Sequence, residues 1–178
     1  LKKYKKSIIF LLKFFVSYFL LFTMYAYYLK NTQQKESQFV CAPLTATVAN
    51  QTAGVLNFFG YHTKVIQHSE EMSVKILIDD VYIARVIEGC NSVSIIILFI
   101  SFIIAFPGPL KTTLIFSVFG SLIIYGINIL RIAILSVLLY KYPDQQVFLH
   151  NLVFPAIIYG TTFSLWVVWV HRYSNYKR

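Results

Sequence analysis

The sequence predicts an α-helical polytopic membrane protein with about four transmembrane helices and a small extracytoplasmic segment made of one helix and a β-hairpin. Three observations carry this. Of the 178 residues, 57% are hydrophobic and 17% aromatic, and mean hydropathy is +0.64, outside the range of soluble domains of this size. Apolar runs over residues 8–29, 93–106 with its flanks, 114–139 and 152–170 have the length scale of helices crossing a hydrocarbon core of about 30 Å, which takes roughly 20 residues. The charges, finally, are sorted by segment as they are in membrane proteins.

A net charge of +9 could indicate nucleic acid, but its distribution points to a lipid bilayer instead. Lys2, Lys3, Lys5 and Lys6 precede the first run, Lys111 lies between the second and third, and Arg172, Lys177 and Arg178 follow the fourth. All seven carboxylates (Glu36, Glu70, Glu71, Asp79, Asp80, Glu88 and Asp144) fall in the other two connections. Since basic loops stay inside, both termini are expected in the cytoplasm, with residues 30–89, Cys90 and His150 outside a bacterial inner membrane. Residues 1–29 read as an uncleaved anchor, because the apolar stretch exceeds the roughly 7 to 15 residues of a signal core and no small-x-small site follows. Lys13 can snorkel to the inner surface.

After a polar connector over 30–40, the apolar residues Leu44, Val48, Val55, Leu56 and Phe59 recur at helical spacing, and Gly60 is placed to end that helix. An amphipathic helix on the outer membrane surface is expected. Residues 61–67, 74–78 and 81–86 are short and rich in Val, Ile and Tyr, with Asp79-Asp80 between the last two, which predicts a small antiparallel sheet. Such a unit is marginal alone and must pack on the helices, where it can hold the 88–90 turn or offer an edge to an extended peptide. The second span runs from Cys90 to the reversal Phe106-Pro107-Gly108-Pro109. The third has an apolar run of about 26 residues, or roughly 39 Å, and either continues tilted or breaks around 126–128. Trp166, Trp169 and Tyr173 fit an aromatic belt at the inner end of the last span.

Three groups stand out against this background. Cys90 lies at the polar start of an apolar helix, where free N–H groups and the macrodipole favour a thiolate. Its bland alternatives are an inert thiol or a disulfide with Cys41. Arg131 sits inside an apolar run, about 25 Å beyond Leu114, where a guanidinium needs a partner or a wet cavity. Asn128 shares its helical face and can help satisfy it, Glu88 is a candidate ion-pair partner, and the functional alternative is a fixed fork for a developing oxyanion. His150 opens the last span on the same side as Cys90, whereas His171 lies at the opposite end and His62 and His68 are in the soluble segment. No spacing among these residues resembles a metal site, and no phosphate loop appears, so no cofactor is expected. A thiol, a guanidinium and an imidazole from three spans, at one depth, have the composition of a cysteine transpeptidase site.

At these residues the chain resembles the exosortase/archaeosortase family of membrane-embedded sorting enzymes. The likeness rests on Glu88-Gly89-Cys90-Asn91-Ser92 at a span start, Asn128-x-x-Arg131 in the next span and His150 before the last, over roughly residues 85–170. In size it looks most like the compact exosortase F type of Bacteroidetes. Ser92 departs from the pattern, since many members have Gly there.

The resemblance implies a membrane catalytic core over 90–178, with Cys90, Arg131 and His150 catalytic and Glu88 and Asn128 supporting. It implies exported protein substrates bearing a C-terminal motif, a transmembrane helix and a basic tail, and leaves room for a small membrane-protein partner. The competing reading is a non-catalytic scaffold with a Cys41–Cys90 disulfide.

Overall fold

The computed structural model describes residues 4–33, 39–145 and 148–174, apart from the side chains at 145, 149 and 150. Helix α1 (Lys5–Thr32) is followed by α2 (Pro43–Phe58), three strands β1 (Thr63–Gln67), β2 (Ser73–Ile78) and β3 (Val81–Ile87), and a 3-10 turn at Glu88–Cys90. Then come α3 (Val93–Ala105), α4 (Leu110–Lys141), a 3-10 turn at Pro143–Gln145, a π-turn at Leu149–Val153, α5 (Phe154–Val168) and a π-turn at Trp169–Tyr173. The connector expected over 30–40 falls partly outside the described residues.

Three helical stretches, Lys5–Thr32, Leu110–Lys141 and Asn151–Tyr173, are long and apolar enough to cross a membrane. Their outward faces carry Leu12, Phe19, Val118, Phe119 and Phe163, each about 60% exposed or more, a surface that only lipid can cover at this density. The protein is therefore a membrane protein. The expected fourth span, α3, has 13 residues, or about 20 Å, because Ser92 and Phe106 end it on either side. It falls short of a full crossing on its own. Helix α4 runs unbroken for 32 residues through Gly126 and Asn128, so of the two courses open to the third span the continuous one is found.

The segment over 30–89, expected as a helix and a hairpin, contains a three-stranded antiparallel sheet in the order β1-β2-β3. Asp79 and Asp80 both have positive φ (50° and 63°), the two-residue turn that matches strand twist, and Ile78 faces Val81 across it. A bulge between Ile76 and Leu77 of the β2–β3 ladder leaves Ile83 without an opposite residue. Val74, Ile76, Ile78 and Val86 form one face of the sheet and bury against Val48, Ala49 and Leu56 of α2 and Ile132 and Ala133 of α4. Gly60, at φ 89°, ends the α2 region as its position suggests. The sheet is tied to α4 by Tyr140, whose hydroxyl donates to Asp79 Oδ2 at 3.0 Å, and α2 by Tyr125, which donates to Gln51 Oε1 at 2.6 Å.

A second core holds α3 against α4 and α5. Phe99 is fully buried on α3 and fits over Gly120 of α4, where a Cβ would come within 2.3 Å of the ring. The aromatic belt expected at the inner end of the last span is only partly such. Trp169 is fully buried, with Phe116 at 5.1 Å between ring centres, and Trp166 stacks on Phe102 at 4.3 Å. These indoles fill the helix interface left by the short α3. Phe10 packs at 4.7 Å from Phe106 and fastens α1 to the same region.

Candidate active site

The turn Glu88–Cys90 is fixed by polar groups from three directions. Glu88 accepts the Ala42 N–H at 2.8 Å and the Thr45 hydroxyl, which places its carboxylate at the N-terminus of α2, where unpaired amides and the helix dipole favour a negative charge. Asn91, 1% exposed, donates from Nδ2 to the Tyr25 hydroxyl of α1 at 2.7 Å, while its Oδ1 accepts the Val93 N–H at 3.0 Å in a local turn just before α3. From the α4 side, Asn128 Nδ2 donates to the Cys90 carbonyl at 2.7 Å. Ser92 then turns the chain into α3 with φ 63° and ψ −1°, a left-handed conformation that Gly adopts without strain.

Cys90 is half-buried, and the Arg131 guanidinium lies within electrostatic reach of its side chain. Arg131 is itself half-buried on α4, and Tyr159 of α5 lies within its electrostatic reach. Both residues open onto a cavity of about 780 Å³ bounded by β3, by Arg131, Ile132, Leu135 and Leu139 of α4, and by Phe154 and Pro155 at the start of α5. A slightly larger cavity of about 820 Å³ between α3 and α4 is lined mostly by apolar residues, with Thr113, Ser117, Ser121 and Tyr125 among them and Lys13 also in its wall. It includes neither Cys90 nor Arg131.

The expected partners are partly rearranged. Glu88 is turned to α2; among the described residues the ion pairs are Lys64–Asp80 and Arg85–Glu71. Asn128 holds the Cys90 backbone, where the sequence suggests a role in satisfying Arg131. His150 falls in the π-turn Leu149–Val153 leading into α5, next to the cavity wall formed by Phe154 and Pro155, and its side chain lies outside the described residues. His171 is at the other end of that helix, about 30 Å away by helical rise, with Nδ1 against the Val167 carbonyl. His68 accepts the Glu70 N–H in the β1–β2 turn.

Cys41 and Cys90 are both free thiols. Cys41 is 2% exposed and donates to Gln67 Oε1 at 3.4 Å. Burial pushes its pKa above the ordinary thiol value, and the Glu88 carboxylate pushes the same way. This thiol is thus kept protonated.

Sequence reasoning missed Tyr25, Thr45 and Tyr159. No local signal marks them: Tyr25 and Tyr159 are two of 13 tyrosines, both in apolar helices, and Thr45 is one small polar residue near a helix start.

No curated protein and no solved structure matches the chain. The model of the transmembrane exosortase family matches residues 7–171, nearly the full chain and well beyond the 85–170 stretch that carries the sequence motifs. The chain therefore belongs to the transmembrane exosortase family.

Proposed function

We propose that this protein is a cysteine transpeptidase of the compact F type, which cuts C-terminal sorting signals at the outer face of the bacterial cytoplasmic membrane. The observation that supports it most directly is that Cys90 and Arg131, from different elements, line one 780 Å³ cavity. Family membership supports a membrane transpeptidase role. Charge sorting supports a topology with both termini inside, α3 and its flanks forming a fourth, short membrane segment, and the 30–89 segment outside.

In this mechanism His150 takes the Cys90 proton and the thiolate attacks the scissile carbonyl carbon. The carbonyl electron pair moves to oxygen, and Arg131 stabilises the resulting oxyanion. As the carbonyl re-forms, the C–N bond breaks and the leaving amine takes the proton from His150. The thioester on Cys90 is then opened by an incoming amine, or by water, which restores the thiol. A substrate whose basic tail stays inside and whose apolar helix spans the bilayer would present its scissile bond at the outer mouth, beside Cys90. Mass spectrometry of the processed C-terminus tests this. An exported protein should end at a new residue, or carry a new amine, in cells with the native enzyme, and should keep its helix and tail in Cys90→Ala cells. Identical C-termini in both would overturn the proposal.

A further inference from the structure

Strand β3 is the outer strand of its sheet, and the ladder fixes which of its backbone groups are spent. At the two ends of the β1–β2 ladder, the His68 N–H donates to the Ser73 carbonyl and the Asp79 N–H to the His62 carbonyl, both at 3.0 Å. Antiparallel pairs alternate between bonded and non-bonded. Lys75 and Leu77 therefore turn their amides and carbonyls to β1, as Ser73 does its carbonyl while its N–H donates to the Glu71 carbonyl at 2.8 Å, and Val74 and Ile76 turn theirs to β3. Through the pairs Val74↔Val86 and Ile76↔Ala84, Val86 and Ala84 are the β3 residues bonded to β2. Arg85 and Ile87, between and beyond them, point their N–H and C=O groups away from the sheet.

That side of β3 is the catalytic cavity. All six residues from Tyr82 to Ile87 line it. A cavity lying over a face of the sheet would meet only every second residue, so this one is approached from the edge. The opposite wall is a row of α4 side chains at helical spacing, Arg131, Leu135 and Leu139, and the same cavity takes in Cys90, three residues after Ile87. The Arg85 side chain is held aside by Glu71, leaving its backbone as the group offered at the edge.

We infer that the substrate segment just before the scissile bond binds as an added β-strand along the Tyr82–Ile87 edge of β3, and that this edge delivers the scissile carbonyl to Cys90. The inference rests on the transpeptidase reading of Cys90. An extended peptide supplies the donors and acceptors that Arg85 lacks, and six residues of strand, about 20 Å, accommodate a peptide of similar length. Direction follows from connectivity: β3 runs toward Cys90, and a substrate whose membrane helix lies after the cut runs toward it too. The added strand is parallel to β3. Recognition is by main chain with alternate side chains read, so an exposed edge that invites non-specific pairing is here enclosed by α4.

The test uses the full chain in its own cells, with a reporter carrying the C-terminal region of a protein that accumulates uncut when Cys90 is Ala. Arg85→Pro removes one outward N–H and leaves the β2 ladder intact, as edge positions allow. Arg85→Ala removes the side chain and keeps the N–H. Val65→Pro makes the same change on the far edge of the sheet, and iodoacetamide labelling of Cys90 monitors the fold of each variant. Processing by Arg85→Pro should fall about tenfold, mainly as a higher KM, and by clearly more than with Arg85→Ala or Val65→Pro. A proline walked through the reporter upstream of the cut, where enzyme folding is not at issue, should slow processing with a period of two residues. Equal rates for Arg85→Pro and Arg85→Ala, or a proline scan with no alternation while cutting persists, would overturn strand addition and leave the transpeptidase intact. Failure of the Cys90→Ala variant to accumulate any uncut protein would instead remove both.

Discussion

Asn128 on α4 grips the backbone of Cys90 through a 2.7 Å hydrogen bond to its carbonyl, one helical turn below the Arg131 whose guanidinium lies within electrostatic reach of the Cys90 side chain. Backbone and side chain of one residue are thus addressed by neighbouring positions of a single helix. Because Asn128 is 1% exposed, its amide has no water to fall back on, and removing it leaves the half-buried Cys90 carbonyl without this partner, at a cost of about 1 kcal/mol. Asn128→Ala should lower the processing rate and change the alkylation rate of Cys90 in the folded protein. Asn128→Asp should be worse than Asn128→Ala if ionised, since it offers an acceptor to an acceptor. Unchanged Cys90 alkylation in both variants would mean that the bond does not position the thiol.

The two thiols differ enough in environment to be told apart chemically. Cys90 is half-buried beside a guanidinium, and Cys41 is sealed under the sheet beside Glu88. Under non-reducing conditions at pH 7, iodoacetamide should label Cys90 first and Cys41 only on unfolding. Since the folded value for Cys41 is raised, its contribution to stability is complete below the ordinary thiol pKa of about 8.5 and is lost as pH climbs through the elevated value. Cys41→Ser should keep processing, while Cys90→Ala should abolish it. Equal loss from both, with neither thiol labelled, would indicate a disulfide.

Ser92 carries strain that its neighbours impose. With φ at 63° it pays the cost that Gly avoids, roughly 1–2 kcal/mol, offset in part by its hydroxyl contact with the Asn91 carbonyl at 2.6 Å. Ser92→Gly should be neutral to stabilising by up to about 1 kcal/mol in a thermal inactivation assay, and Ser92→Val should be clearly destabilising. Loss of stability in the Gly variant would show that the hydroxyl outweighs the backbone.

Much of the fold was legible because periodicity and turn chemistry are local. Leu44, Val48, Val55 and Leu56 announced α2, Gly60 its end, and Asp79-Asp80 the hairpin. The motif residues Cys90 and Arg131 were legible because a thiol and a guanidinium are conspicuous in apolar helices. What the sequence could not reveal depends on partners distant in the chain. Glu88 reads as a candidate for Arg131 until the start of α2, 46 residues earlier, is seen to take its carboxylate. Trp169 reads as a belt residue until the short α3 leaves it a gap to fill. The apolar run over 93–106 already matches α3 to within one residue, and the expectation of a full crossing comes from adding flanks that are not helical.

The α3–α4 contact gives a test of packing that is independent of chemistry. Gly120 has no room for a methyl group, since Phe99 Cζ would lie 2.3 Å from it and Phe99 is fully enclosed. Gly120→Ala should therefore destabilise by about 1–3 kcal/mol and lower the protein level, with processing per folded molecule retained. Gly126→Ala, on the same helix with open space around it, is the control. Comparable levels of the two variants would refute the close packing of Phe99 on Gly120.

Arg131 gives the sharpest test, because the roles open to it predict different responses to Lys. A guanidinium beside Cys90 can act as a fixed cation that attracts the thiolate once His150 has taken its proton, or as a planar donor pair aimed at the oxyanion. Arg131→Lys keeps the charge but shortens the reach and removes the fork. In the first role it should retain most of the Cys90 alkylation rate at neutral pH and most of the processing. In the second, alkylation survives while processing falls by about 10²- to 10³-fold, the usual cost of losing an oxyanion donor. Arg131→Gln separates them from the other side: with the charge gone and a donor kept, alkylation should drop. Glu88 is committed to the α2 N-terminus, so exchanging Glu88 and Arg131 should not rescue either single variant. Near-normal processing by Arg131→Lys at normal protein level would take the oxyanion role away from Arg131 and leave the reaction to Cys90 and His150.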